Sequence, residues 1–203
     1  MDHIEKELEA GRAVILPTET VYGIFAKALN QEAVDYIYEL KHRPRDKALN
    51  LNVAGEADIR LYSKIQPNYL TKLIDSFLPG PLTIILQAND KVPGWIHSGL
   101  DTVGFRIPAH PKTLDLIRKY GPLVGPSANL SGHASGTKYK AIVSEFDQVV
   151  PGVEDDDFLT GQDSTILDIS GPKARILRQG SITKADLLAH VPELSFEEDE
   201  LPQ

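Results

Sequence analysis

The chain has 203 residues, of which 41% are hydrophobic and 25% charged, with a formal net charge of −8; this is the usage of a folded globular domain and not of a disordered one. It has no cysteine, which excludes disulfides, a thiolate nucleophile and Cys-ligated zinc, and a pI near 5.2 argues against bulk electrostatic attraction to nucleic acid. No apolar run approaches the roughly 20 residues a membrane span needs, and the first residues lack the basic-then-apolar order of a signal peptide, so a cytoplasmic location is expected.

In chain order, Ile4 and Leu8 lie in a short charged helix stopped at Gly11, and Ala13–Leu16 is an apolar strand broken by Pro17. Asn30 fits the N-cap of a helix whose apolar positions Ala33, Val34, Ile37 and Leu40 share one face. That helix delivers Lys41, and Pro44 biases Arg43 towards an extended conformation as the chain turns. LNLNV (49–53) and LTIIL (82–86, after the turn Pro79–Pro81) read as strands, as does TVGFRI (102–107), whose alternation puts Thr102, Gly104 and Arg106 on one face. A helix over TLDLIRKY, a short strand PLVG and a helix over KYKAIVSEF follow. STILDI and ARILRQ form a hairpin through Ser170–Lys173, and Thr183 with Asp186 caps a last short helix. The expected fold is α/β, a single domain with a twisted mixed sheet flanked by helices, the domain covering 1–190 and a loose acidic tail covering 191–203.

Four stretches beside these strands carry polar or glycine residues, where folds tend to place function. They are PTETVYG (17–23), KHRPRDK (41–47), PSANLSG (126–132) and DST (163–165). Each has an ordinary reading as a turn or a wet charged loop. KHRPRDK also has the make-up of an anion pocket, with guanidinium and ammonium groups converging in an otherwise acidic chain. Neither common glycine cradle for nucleotides is present, nor a G-x-S-x-G elbow. The six histidines show no close ligand spacing and EDDD (154–157) reads as a solvated loop, so no metal bound by the protein itself is expected.

Taken in order, PTETVYG, K-x-R with P-x-D-K, LPGPLT, a strand ending R-x-P-x-H, PSANLSG, and ST-I-x-D ahead of LRQG resemble the YrdC family of L-threonylcarbamoyladenylate synthases, from about Arg12 to Gly180. The resemblance implies a nucleotidyltransferase that converts L-threonine, bicarbonate and ATP, with Mg2+ accompanying the ATP, to threonylcarbamoyl-AMP and pyrophosphate for tRNA N6-threonylcarbamoyladenosine. It further implies a downstream tRNA threonylcarbamoyl-transferase complex as partner and at most weak tRNA contact, and no membrane partner is expected. By the same alignment Lys41 and Arg43 are the catalytic pair. Arg43, Lys47, Thr102, Asn129, Thr137 and Arg178 fall where the family touches ATP, and Thr20, Asn52, Arg106, Ser127 and Ser164 where it holds L-threonine. Arg106 is then the natural partner of the amino-acid carboxylate. Two positions depart from the family: Ala48 replaces a common proline, and Asn52 stands where histidine is frequent.

The chain resembles the short form of the family, without the added domain of the longer relatives. The presence of Lys41, Arg43, Ser127 and Asn129 sets it apart from YciO-type relatives. A non-catalytic RNA-binding or ribosome-maturation module is the alternative, and would call for an extended basic surface. Because Lys41 and Arg43 lie beyond a helix and outside its apolar stripe, replacing either is expected to abolish adenylate formation and leave the fold intact.

Overall fold

The computed structural model describes residues 2–147 and 149–197. The chain opens with α1 (His3–Glu9), capped by Asp2 and Glu5 in a reciprocal box, then β1 (Val14–Leu16), β2 (Gly23–Lys27) and α2 (Gln31–Leu40). It continues through β3 (Leu51–Asn52), α3 (Glu56–Tyr62), α4 (Leu70–Phe77), β4 (Leu82–Gln87), α5 (Gly94–His97), β5 (Thr102–Arg106), α6 (Pro111–Tyr120) and β6 (Leu123–Val124). After α7 (Tyr139–Glu145) come a 3-10 turn (Asp156–Phe158), β7 (Thr165–Asp168), β8 (Arg175–Arg178) and α8 (Lys184–His190). The strands form one eight-stranded sheet in the order β1-β2-β6-β3-β5-β4-β7-β8, parallel at β3/β5 and β4/β7 and antiparallel elsewhere. The expected mixed α/β sheet is therefore present, including the β7/β8 hairpin.

Local sequence explains the element ends. Asn30 Oδ1 accepts from Ala33 N (3.2 Å) and Thr183 from Asp186 N, as their positions suggest. His42 takes a left-handed backbone (φ 48°) directly after the cap residue Lys41, which ends α2 and turns the chain into the basic loop. β2, α3, α4 and α5 had no counterpart in the sequence reading. In α4 the signal was present, since Leu70, Leu73 and Ile74 are spaced as one buried helical face.

Strand alternation divides the apolar residues between the two faces of the sheet. Val14, Leu16, Phe25 and Leu123 pack with Ile4 and Leu8 of α1 and Leu116 and Ile117 of α6. Ile15, Ile24, Leu51, Ile84, Phe105 and Leu167 face the other way, into the main core with residues of α2, α3, α4 and α8. Where the first face continues over β3, β5 and β4, the alternating positions are Asn52, Arg106 and Thr83, and they line a cavity instead of a core. The sheet thus carries an apolar side throughout and a second side that turns polar at its centre. Among the described residues, no helix is long and apolar enough to cross a membrane.

The expectation of a loose tail is corrected for its first part. Val191 and Leu194 are buried, and Ala174 N donates to Ser195 O (2.7 Å) while Glu197 N donates to Ala174 O (3.1 Å). Residues 198–203 of that tail lie outside the described residues.

Candidate active site

The cavity over the polar part of the sheet measures about 270 Å³. Its floor is Asn52, Thr83 and Arg106 from the strands, its walls are Gly125–Ser127 and Asp163–Ser164, and Arg43 and Arg178 stand at its edge. Gly104 lies beside Arg106 on the same face. A Cβ there would sit 2.2 Å from Asn50 Oδ1, so a larger residue would push the Asn50 side chain out of its place over the strand.

Arg106 projects from the last position of β5, the alternation face read from the sequence, and that face does line a cavity. Its Nη2 donates to Thr20 Oγ1 (2.7 Å) and to Glu19 Oε1 (2.6 Å), so the PTETVYG loop is strapped to the floor by its own polar side chains. Thr18 Oγ1 donates to Val21 O (2.6 Å), which closes the loop on itself. On the opposite wall, Ser164 Oγ meets Thr83 Oγ1 and Arg178 Nη2, both at 3.0 Å, while Arg178 Nε donates to Ser164 O at 3.0 Å.

Lys41 occupies a different place from the one its loop suggests. It is 2% exposed, among the largest fully buried side chains, and its ammonium donates to the backbone carbonyls of Ser127 and Asn129. The return contact runs from Ser131 N to Lys41 O at 2.9 Å, so the end of α2 and PSANLSG form one unit. Burial, and then the charge of Arg43, pull the Lys41 ammonium down to about 8. Arg43 is the member of the pair that reaches the cavity, with Nη2 donating to Ala48 O at 2.8 Å.

This lowered value has a pH consequence. Between about 8 and the ordinary 10.5 the unfolded chain binds a proton that the folded chain does not, so stability contributed at Lys41 rises with pH across that window. Urea unfolding at pH 7 to 10 is expected to show wild type gaining on Lys41→Met as pH rises. A constant gap would mean that the two carbonyls hold the ammonium at its ordinary value.

The residues singled out from the sequence do not all converge. Arg43, Asn52, Arg106, Ser127, Ser164 and Arg178 line the cavity, and Thr20 backs it through Arg106. Asn129 is buried beside Lys41 and spends its amide on Leu130 O and His133 O, both 2.9 Å. Lys47, Thr102 and Thr137 are not in the lining; Lys47 is exposed, and Thr102 opens β5 opposite Gln87, at the far end of the strand from Arg106. Arg45 pairs with Asp35 and stacks on Tyr38 (4.7 Å).

Asp163, Thr83, Asn50 and Glu19 were missed as site residues. Asp163, Glu19 and Thr83 sat inside quoted motifs, whereas Asn50 carries a signal only once strand faces are known. The EDDD stretch is also more than a solvated loop. Asp156 Oδ1 accepts from Tyr22 Oη (2.9 Å) and Tyr139 N (2.8 Å), and Asp155 Oδ2 lies 3.1 Å from His110 Nε2. Burial pushes the Tyr22 phenol up, so it stays a donor.

The Sua5_yciO_yrdC family model, described as telomere recombination, matches residues 6–180. The chain belongs to the Sua5/YciO/YrdC family. The threonylcarbamoyl-AMP synthase of Bacillus subtilis is 38% identical over 185 residues, covering 90% of this chain and 54% of that protein. That of Pyrococcus abyssi is 37% identical over 177 residues, covering 86% and 52%. The crystal structure of P. abyssi Sua5 complexed with L-threonine superposes with a TM-score of 0.88 at 34% identity, over 95% of this chain and 57% of that one. This family member thus spans about half the length of these relatives.

Proposed function

We propose that the chain is an L-threonylcarbamoyladenylate synthase, joining L-threonine, bicarbonate and ATP into threonylcarbamoyl-AMP with release of pyrophosphate. The observation that carries this reading is one cavity holding Arg106, Asn52, Ser127 and Ser164 at its floor and walls and Arg43 with Arg178 at its edge. Two ligands of different chemistry fit such a division. An amino acid's carboxylate would meet Arg106, and its hydroxyl the short Ser and Asn groups. A triphosphate would meet the guanidinium groups of Arg43 and Arg178.

The threonine amine and bicarbonate give a carbamate and water, and a carbamate oxygen then displaces pyrophosphate from the α-phosphate of ATP. Atoms balance without a covalent enzyme intermediate, so the protein's task is to orient two anions and offset the charge that builds between them. Asn52 contributes hydrogen bonds and no charge. Mg2+ would travel with the nucleotide, neutralising its phosphates. Among the described residues no group of three or more His, Cys, Asp or Glu could hold a metal, and Asp163 is the carboxylate lining the cavity, which fits an ion ligated mainly by phosphate and water. The product would serve tRNA threonylcarbamoylation in the cytoplasm through a downstream transferase.

Pyrophosphate release from Mg-ATP and bicarbonate tests this, with L-threonine against L-serine and L-alanine. Release that requires both threonine and bicarbonate is the expected result; its absence, with tight RNA binding at physiological salt, would favour the binding module. Arg43→Ala is expected to lower kcat/KM by about 100-fold or more, the scale for lost charge stabilisation. Its melting temperature should stay near wild type, because its hydrogen bonds go to its own loop.

A further inference from the structure

We infer that Glu19 is a positioning residue that fixes the Arg106 guanidinium for the bound amino acid; this rests on the reading of the cavity as an amino-acid site. A long arginine at the end of a strand has many rotamers to lose, and a fork that must meet a carboxylate in one geometry gains from being held beforehand. Here Nη2 carries the holding contacts, to Glu19 Oε1 at 2.6 Å, Thr20 Oγ1 at 2.7 Å and Thr18 Oγ1 at 3.5 Å. Both members of the ion pair are nearly buried, with side chains 13% and 14% exposed.

Glu19 is itself aimed from two sides. Its second oxygen, Oε2, accepts from Ala109 N at 2.8 Å, three residues beyond Arg106 on the same chain, and its backbone carbonyl accepts from Thr160 N at 3.0 Å. The carboxylate therefore bridges the end of β5 to the turn that follows it, and cannot rotate without giving up a backbone donor. Arg106 Nε, in contrast, is buried with no protein partner. A buried donor left without an acceptor is what a site built for a ligand shows before that ligand arrives.

Glu19 does not itself line the cavity, so it acts through Arg106 and not on substrate. Neutralising Arg106 in the empty state also lowers the cost of keeping a charge under poor solvation until the substrate carboxylate comes. Glu19→Gln keeps the size and one acceptor, but its amide nitrogen cannot accept from Ala109 N.

The test is steady-state kinetics of Glu19→Gln and Glu19→Asp, with 15N NMR of the Arg106 Nε–H signal, assigned by its loss in Arg106→Lys. The expected result is a KM for L-threonine raised at least tenfold in Glu19→Gln, with KM for ATP and kcat within about threefold, and an Arg106 signal that moves to the free-arginine position. Glu19→Asp should recover part of the threonine KM. A lower threonine KM would show Glu19 to be a competitor of the substrate and overturn the inference. So would equal losses in both KM values and kcat with a lowered melting temperature, or an Arg106 signal unchanged in Glu19→Gln. If wild type itself releases no threonine-dependent pyrophosphate, the synthase reading fails, and the NMR signal still decides whether Glu19 holds Arg106.

Discussion

Lys41→Ala is expected to melt on the order of 10 °C below wild type and to lose about 100-fold or more in turnover. The sequence reading anticipated loss of activity with an intact fold, because the residue follows a helix and begins a charged loop. Burial reverses half of that expectation. At 2% exposure the side chain fills space between α2 and PSANLSG, and its removal takes the ammonium donor from the Asn129 carbonyl and leaves the Ser127 carbonyl with Asn129 N (3.0 Å). An unsatisfied buried acceptor costs about 1–3 kcal/mol and the vacated volume adds to this, for a total of about 2–4 kcal/mol. For a chain of this size 1 kcal/mol corresponds to roughly 2–4 °C. Activity falls for the same reason, since Ser127 lines the cavity and a shift of about 1 Å in a positioning group costs on the order of 100-fold. Differential scanning calorimetry beside the Arg43→Ala variant separates the two roles. A Lys41→Ala protein that melts with wild type would show the buried contacts to be worth little.

Gly180→Ala should destabilise the protein by about 3 kcal/mol and disable the Ser164 side of the cavity. Gly180 closes LRQG, and a Cβ there would lie 2.4 Å from both Asp163 O and Thr165 N. Those are backbone atoms, which cannot swing aside as a side chain could, so the cost belongs at the upper end of overpacking. Gly180 N also donates to Thr165 Oγ1 at 3.0 Å, tying the turn after β8 to the start of β7. Pushing the two apart moves Ser164 away from Thr83 and Arg178. Gly171→Ala, where a Cβ would meet nothing within 4 Å, is the control and should be near neutral. Equal chemical-denaturation midpoints for the two variants would remove the steric account of the LRQG glycine.

Much of the site was legible in the sequence because local rules act on adjacent residues. Alternation over 102–106 put Arg106 on one face with Thr102 and Gly104, the Asn30 cap and apolar stripe delivered Lys41 and Arg43 to the end of α2, and Thr183 with Asp186 marked α8. Ordered motifs identified the family, which the matched residues 6–180 bear out. Two-residue strands such as β3 carry too little pattern to be bounded from sequence, and β2 lacks alternation because it is buried on both faces.

What tertiary structure alone decided were the partners. Lys41 meets carbonyls 86 and 88 positions away, and Arg106 meets Glu19 across 87. These pairings follow from sheet order, which sets β3 between β6 and β5 and brings the ends of distant strands to one edge of a cavity. Periodicity fixes which way a side chain points within its own element. Which group waits for it there depends on how far-apart elements pack, and this turned a charged run into one buried lysine, one cavity arginine and one surface arginine.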